Sequence, residues 1–183
     1  MKSLTFAAGI AALALPLSAA HAGILTIGEG FARSCYDASE TQSATPADIE
    51  VCNRAFTEQA LEPHDQVATH VNRGILFYLS GNLAAANYDY DQALLLDPNE
   101  PEAWLNKGMA ALKAGDSRAA APMFEKALAL KTVRPALAYY GRAIANEDFG
   151  NIRQAYADLQ RARELEPGWS LPGEELKRYV VRE

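Results

Sequence analysis

The chain has 183 residues, 49% of them hydrophobic and 22% charged, a composition that excludes a disordered polymer and supplies one packed unit or a short array. Its formal net charge is −6, and Lys and Arg are scattered without a basic block, which argues against nucleic acid and against an anionic membrane surface as partners. Alanine and leucine are abundant and aromatic residues make up only 9%, which leans the chain towards helix.

The first 22 residues, MKSLTFAAGIAALALPLSAAHA, read as an export signal. One cation, Lys2, precedes an apolar run, and Ala20-His21-Ala22 ends it with the small-residue cleavage pattern. Pro16 interrupts the run and no positive stop-transfer flank follows, so cleavage after Ala22 is expected rather than an anchor helix. No cysteine stands at the cut, so a lipid anchor is not indicated there. Losing Lys2 would take the net charge from −6 to −7. Export would place the chain in the periplasm or outside the cell, where Cys35 and Cys52, the two cysteines of the sequence, are expected to form one disulfide. Closing a loop of that size stabilises a fold by about 3 kcal/mol on the chain-entropy account. There is no C-x-x-C pair and hence no thioredoxin-like redox motif.

After the signal, GFARSCYDASE predicts one short helix. Thr45-Pro46 then offers an N-cap followed by proline in the first helical turn, opening ADIEVCNRAFTEQALE. From Gly81 onward the chain repeats itself. GNLAAANYDYDQALLLDP, GDSRAAAPMFEKALALKT and GNIRQAYADLQRARELEP begin at Gly81, Gly115 and Gly150, 34 and 35 residues apart. Each glycine precedes Asn or Asp, a turn signal. Ala86, Ala120 and Ala155 keep the spacing, as do Ala93, Ala127 and Ala162, with Tyr90, Phe124 and Leu159 between them. Pro98 and Pro167 stop two of these units, and Thr132 takes that place in the middle one. A period near 34 with helical spacing of apolar residues predicts stacked pairs of antiparallel helices, since one pair alone cannot bury its apolar face.

On these residues the chain resembles the tetratricopeptide repeat family. Trp104, Gly108 and the leucine-rich stretch around them match part of the family's first-helix pattern, while His70 and Tyr139 stand where the Trp would be. Gly74 and Ala143 hold the small-residue position, Phe77 keeps the aromatic one, and Ala111 and Asn146 replace it elsewhere. The resemblance implies an all-α solenoid of units 67–100, 101–134 and 136–169, with Pro135 as an inserted residue, a degenerate hairpin over 23–66 and a capping helix over 170–183. Pro122 falls early in a second helix, where it removes one hydrogen bond. Arg73 and Arg142 each lie sixteen residues before an acid, which predicts ion pairs Arg73–Asp89 and Arg142–Asp158 across two hairpins. Met123 replaces that acid in the middle unit, so Lys107 is expected to point to solvent. If Ala55 is matched to Ala93, Cys35 falls where Arg73 stands and Cys52 near Asp89, so the disulfide would take the place of an ion pair in the first hairpin. In the cap, Leu176, Tyr179 and Val180 share one face of a helix expected from about Pro172, with Trp169 and Leu171 beneath it.

The search for chemistry finds little. His21 leaves with the signal, His64 and Asp65 are expected to begin a helix, and His70 sits at a packing position. Gly28-Glu29-Gly30 lacks the third glycine of a nucleotide loop, and there is no serine elbow. No catalytic residue, metal or cofactor is therefore expected. The resemblance implies that first helices line a concave face on which a partner lies. Mapped here, that face is Val71, Ile75, Tyr78, Leu105, Met109, Leu112, Tyr140, Ile144 and Glu147, all but the last apolar. The cations that clamp a peptide carboxylate in one variant of the family are missing. An apolar peptide segment or an amphipathic helix of another exported protein suits better. Two other fillers stay open: the chain's own termini, including Gly23–Ile27 or the Tyr179 face, and a second copy. The expected function is a non-enzymatic protein-binding scaffold of the cell envelope, with an uncharacterised enzyme as the minor alternative.

Overall fold

The computed structural model describes residues 30–41 and 44–179. The expected signal and its cleavage point, the Gly23–Ile27 segment and Val180 lie outside them. Among the described residues there are nine helices and no strand: α1 Phe31–Glu40, α2 Pro46–Glu58, α3 Pro63–Leu79, α4 Leu83–Leu96, α5 Pro101–Lys113, α6 Ser117–Ala129, α7 Pro135–Asp148, α8 Ile152–Leu165 and α9 Ser170–Leu176. Each packs on the next, and α1, α3, α5 and α7 also touch in succession, so the first helices of the pairs form one layer and the second helices another. The fold is an all-α solenoid.

Local chemistry sets the helix ends. Proline opens α2, α3, α5 and α7, where its missing N–H costs no intrahelical bond. Thr45 closes a capping box with Asp48 at the start of α2. Asn82 and Asp116 cap α4 and α6 through the amides of Ala85 and Ala119. The three first helices of the repeat stack end alike. Gly81 has φ 84°, which lets the Asn82 amide reach back to the Phe77 carbonyl at 2.8 Å, and Gly115 and Gly150 repeat the turn. α6 ends in the same way without a glycine: Lys131 takes φ 65° while the Thr132 amide bonds to the Ala127 carbonyl at 3.0 Å. α3 begins at Pro63, four residues before the unit boundary expected at 67, because the proline and Asp65 already supply a helix start.

The core is a row of large side chains from second helices set into small residues of first helices. A Cβ at Gly74 would stand 2.4 Å from the Tyr90 ring, and one at Gly108 would stand 2.9 Å from Phe124. Phe124 also reaches the following pair, where a Cβ at Gly141 would meet it at 2.4 Å. Tyr90, Phe124 and Leu159 are fully buried. Close approach of two helices needs such a missing side chain at the contact. Pro122 lies inside α6 on its exposed side, where the lost hydrogen bond leaves a carbonyl open to water.

Two expectations about the carboxyl end are corrected. The last helix starts at Ser170, before Pro172, which is buried in it. Leu171 does not pack beneath this helix but is exposed, since a helix begun at Ser170 turns Leu171 outward while Trp169 lands 4.9 Å from the Tyr140 ring. Leu176 and Tyr179 cover Ala143, Ala155 and Leu159, and Arg178 bonds to Glu147 at 2.7 Å.

Candidate functional site: the open face of the first helices

The face is built from α3, α5 and α7. Ile75 and Tyr78 stand on α3, Met109 and Leu112 on α5, Tyr140 and Ile144 on α7, and all six are half-buried. Ile75, Tyr78, Met109, Leu112 and Tyr140 pack on the clusters between the layers, while part of each of the six side chains stays in contact with solvent. Burial raises the Tyr78 and Tyr140 hydroxyls above their ordinary range, so both stay neutral donors at any ordinary pH. Lys113 extends back from α5 over the Tyr78 ring, 4.3 Å from its centre, and donates to the Tyr78 carbonyl at 2.9 Å. Glu147 closes the other end through Arg178. An open cavity of about 620 Å³ continues the face past Tyr140, lined by Arg134, Leu137, Glu166, Gly168 and Trp169.

Val71 and Leu105 are corrections to the expected face. Leu105 is fully buried against Phe124, Ala127 and Ala138, and Val71 packs with Val67, Ala93 and Ala103. Each lies on the flank where one first helix meets its neighbours, so stacking covers both.

The cross-hairpin links are all placed. Cys35 and Cys52 are bonded to each other, both fully buried, between α1 and α2. Arg73 grips Asp89 with two bonds of 2.8 and 2.7 Å, and Arg142 grips Asp158 with 2.9 and 2.7 Å. Burial alone raises the Asp89 carboxyl, and the bonds and charges of Arg73 and His70 more than reverse it, holding it below the usual carboxylate range. Hydrogen bonding to Asp158 raises Arg142 further above its ordinary value. His70 lies 2.9 Å from Asp89 and its ring is 4.4 Å from that of Phe56, so it joins three helices as a packing residue.

Lys107 does not point to solvent. It pairs with Asp91 of the preceding second helix, because its position sits at the seam between its own second helix and the one before. Arg73 shows the same seam by donating from Nη1 to Asn53 on α2 at 2.9 Å. Asp91 stands sixteen residues before Lys107, the spacing of the Arg–Asp pairs taken in the opposite direction. Sequence reasoning also passed over Gly141 and Glu102. Glu102 accepts from Thr132 Oγ1 and, at 2.9 Å, from the Val133 amide, while Arg134 Nε donates to its other oxygen at 3.4 Å. This ties the loop after α6 to the first turn of α5, where the other units carry proline.

Among the described residues, no group of three or more His, Cys, Asp or Glu is placed to hold a metal ion, and no helix is long and apolar enough to cross a membrane.

Residues 101–132 match the profile of the Tetratricopeptide repeat. Tetratricopeptide repeat protein 16 of Homo sapiens is 33% identical over 97 residues, which cover 53% of this chain and 10% of that protein, and the Macaca fascicularis protein of the same name aligns equally. The alignment thus spans about a tenth of the length of these curated relatives. Among solved structures, MamA 41-end from Desulfovibrio magneticus RS-1 superposes with a TM-score of 0.64 at 21% identity, over 82% of this chain and 83% of that one. The Arabidopsis OM64 TPR domain gives 0.59 at 20% identity, over 65% of this chain and 100% of the domain. These likenesses show a shared fold. Residues 101–132 thus carry the pattern of one tetratricopeptide repeat, within a fold shared with these structures.

Proposed function

We propose that this chain, a stack of helix pairs carrying a tetratricopeptide repeat, is a non-enzymatic scaffold of the cell envelope that holds an apolar peptide segment or amphipathic helix on the open face of α3, α5 and α7. Tetratricopeptide folds serve protein–protein interaction in general. The finer reading is carried by one observation: Ile75, Tyr78, Met109, Leu112, Tyr140 and Ile144 form a half-buried apolar run across three consecutive first helices. Such a run, rimmed by Lys113 and Glu147, suits the anchor side chains of an amphipathic helix. The cavity beyond Tyr140 extends it by room for a further side chain.

Export to the periplasm is supported by the composition of the first 22 residues and by the bonded Cys35 and Cys52, which fit an oxidising compartment. A photo-crosslinking probe at Met109, applied in cells, tests the function. Capture of one envelope protein through an apolar segment, lost in the Ile144→Glu variant, is the expected result. Adducts solely to the chain's own Gly23–Ile27 segment or Tyr179 face, or solely to a second copy, would replace this reading with self-occupancy of the face.

A further inference from the structure

We propose that the cavity between the start of α7 and the loop after α8 binds a free amino acid with a large apolar side chain. Its volume of about 620 Å³ falls within the range of small-molecule sites, more than the scaffold reading asks of it. One wall is apolar. Leu137 and Trp169 line it, and the Trp169 ring is braced by that of Tyr140 at 4.9 Å. Gly168 leaves the space open, since a Cβ there would meet nothing within 4 Å. The other lining groups are Arg134 and Glu166, of opposite charge.

These two charges border one cavity and do not pair with each other. Arg134 turns Nε to Glu102 in a long bond of 3.4 Å, and among the described residues neither of its Nη atoms nor the Glu166 carboxylate has a partner. The loop that carries Arg134 is tied down, because Glu102 accepts from Thr132 Oγ1 and from the Val133 amide. The guanidinium is thus held at the rim with both Nη free, an arrangement that takes a carboxylate through two parallel bonds. A ligand with a carboxylate alone would meet Glu166 as a like charge, and one with an amine alone would meet Arg134. A zwitterion suits both: its carboxylate goes to Arg134, its ammonium to Glu166, and its side chain lies on Trp169 and Leu137. A residue inside a peptide carries no main-chain charge and would leave both groups unmatched. The inference goes beyond the scaffold reading and does not depend on it.

The full chain, with no partner present, is titrated with L-phenylalanine and followed through the indole N–H signals of Trp104 and Trp169 in NMR spectra. The Trp169 signal should shift and saturate with a dissociation constant on the order of 1 mM. Trp104, whose indole donates to the Pro98 carbonyl, serves as the internal reference. Phenylalaninamide lacks the carboxylate and N-acetylphenylalanine lacks the ammonium, so each should bind at least about tenfold more weakly. Glu166→Gln should erase the advantage of L-phenylalanine over N-acetylphenylalanine, and Arg134→Gln its advantage over the amide. Gly168→Leu should abolish the Trp169 shift with Tm unchanged, because the added side chain enters open space. A Trp169 signal that stays in place up to about 50 mM overturns the proposal. Either analogue binding as well as L-phenylalanine also overturns it, in favour of a ligand with one charge or, if both do, of an apolar side chain alone. None of these results bears on capture from Met109, which tests the scaffold reading separately.

Discussion

The first hairpin and the middle one solve the same problem with different chemistry. α1 and α2 have small apolar clusters, Ala32, Ala55 and Ala68 on one side and Cys35, Cys52 and Leu76 on the other, and a covalent bond joins them. α5 and α6 have neither a disulfide nor an ion pair between them. They rely on Phe124, fully buried and seated across Gly108 and Gly141, with the Glu102 carboxylate holding the following loop. Between these extremes, α3–α4 and α7–α8 use Arg–Asp pairs. Among the described residues the first hairpin packs on one further helix, α3, and the covalent link adds to what that packing supplies. An interior hairpin is packed from both sides and its link becomes dispensable.

The sharpest way to break this contrast is Phe124→Ala. Removing a ring that fills two consecutive pairs should cost about 4 kcal/mol and lower Tm for the whole stack, read by thermal melting monitored by circular dichroism. If the loss stayed confined to α5 and α6 in hydrogen exchange, packing would not be what joins the interior units.

Next is Asp89→Ala, expected to cost about 3 kcal/mol because Arg73 is left partly buried without its partner. Asp89→Asn adds a pH signature. A carboxyl held below its unfolded range gives stability that is full above about pH 4 and is lost as pH falls through the folded value. The substitution should therefore flatten the acid limb of an unfolding-versus-pH profile. An unchanged acid limb would show that Asp89 is not ionised in the fold.

Cys35→Ser together with Cys52→Ser should remove about 3 kcal/mol, mostly local to α1 and α2. Hydrogen exchange should speed there while α5 and α6 keep their protection. Equal acceleration throughout would make the first hairpin part of one cooperative unit with the rest. The smallest effect is a gain. Lys131 holds a left-handed backbone that glycine adopts freely, so Lys131→Gly should stabilise α6 by up to about 1 kcal/mol in denaturant titration.

The sequence by itself determined the helix pairs, their order and the ends of most helices. Those follow from the 34-residue period, from Gly-Asn and Gly-Asp turns and from prolines at helix starts, all of which act within a few residues. It also pointed to the cysteine pair and to both Arg–Asp pairs, because a hairpin brings fixed spacings together. The tertiary structure alone decided which side chains stay open. Val71 and Leu105 fit the same helical periodicity as Ile75 and Met109, yet neighbouring helices cover them. Lys107 turned to Asp91 and Phe124 reached Gly141 for the same reason. Periodicity fixes which way a residue leaves its own helix. What it meets there depends on how successive pairs rotate against one another, and that is set by the fit of all their side chains at once.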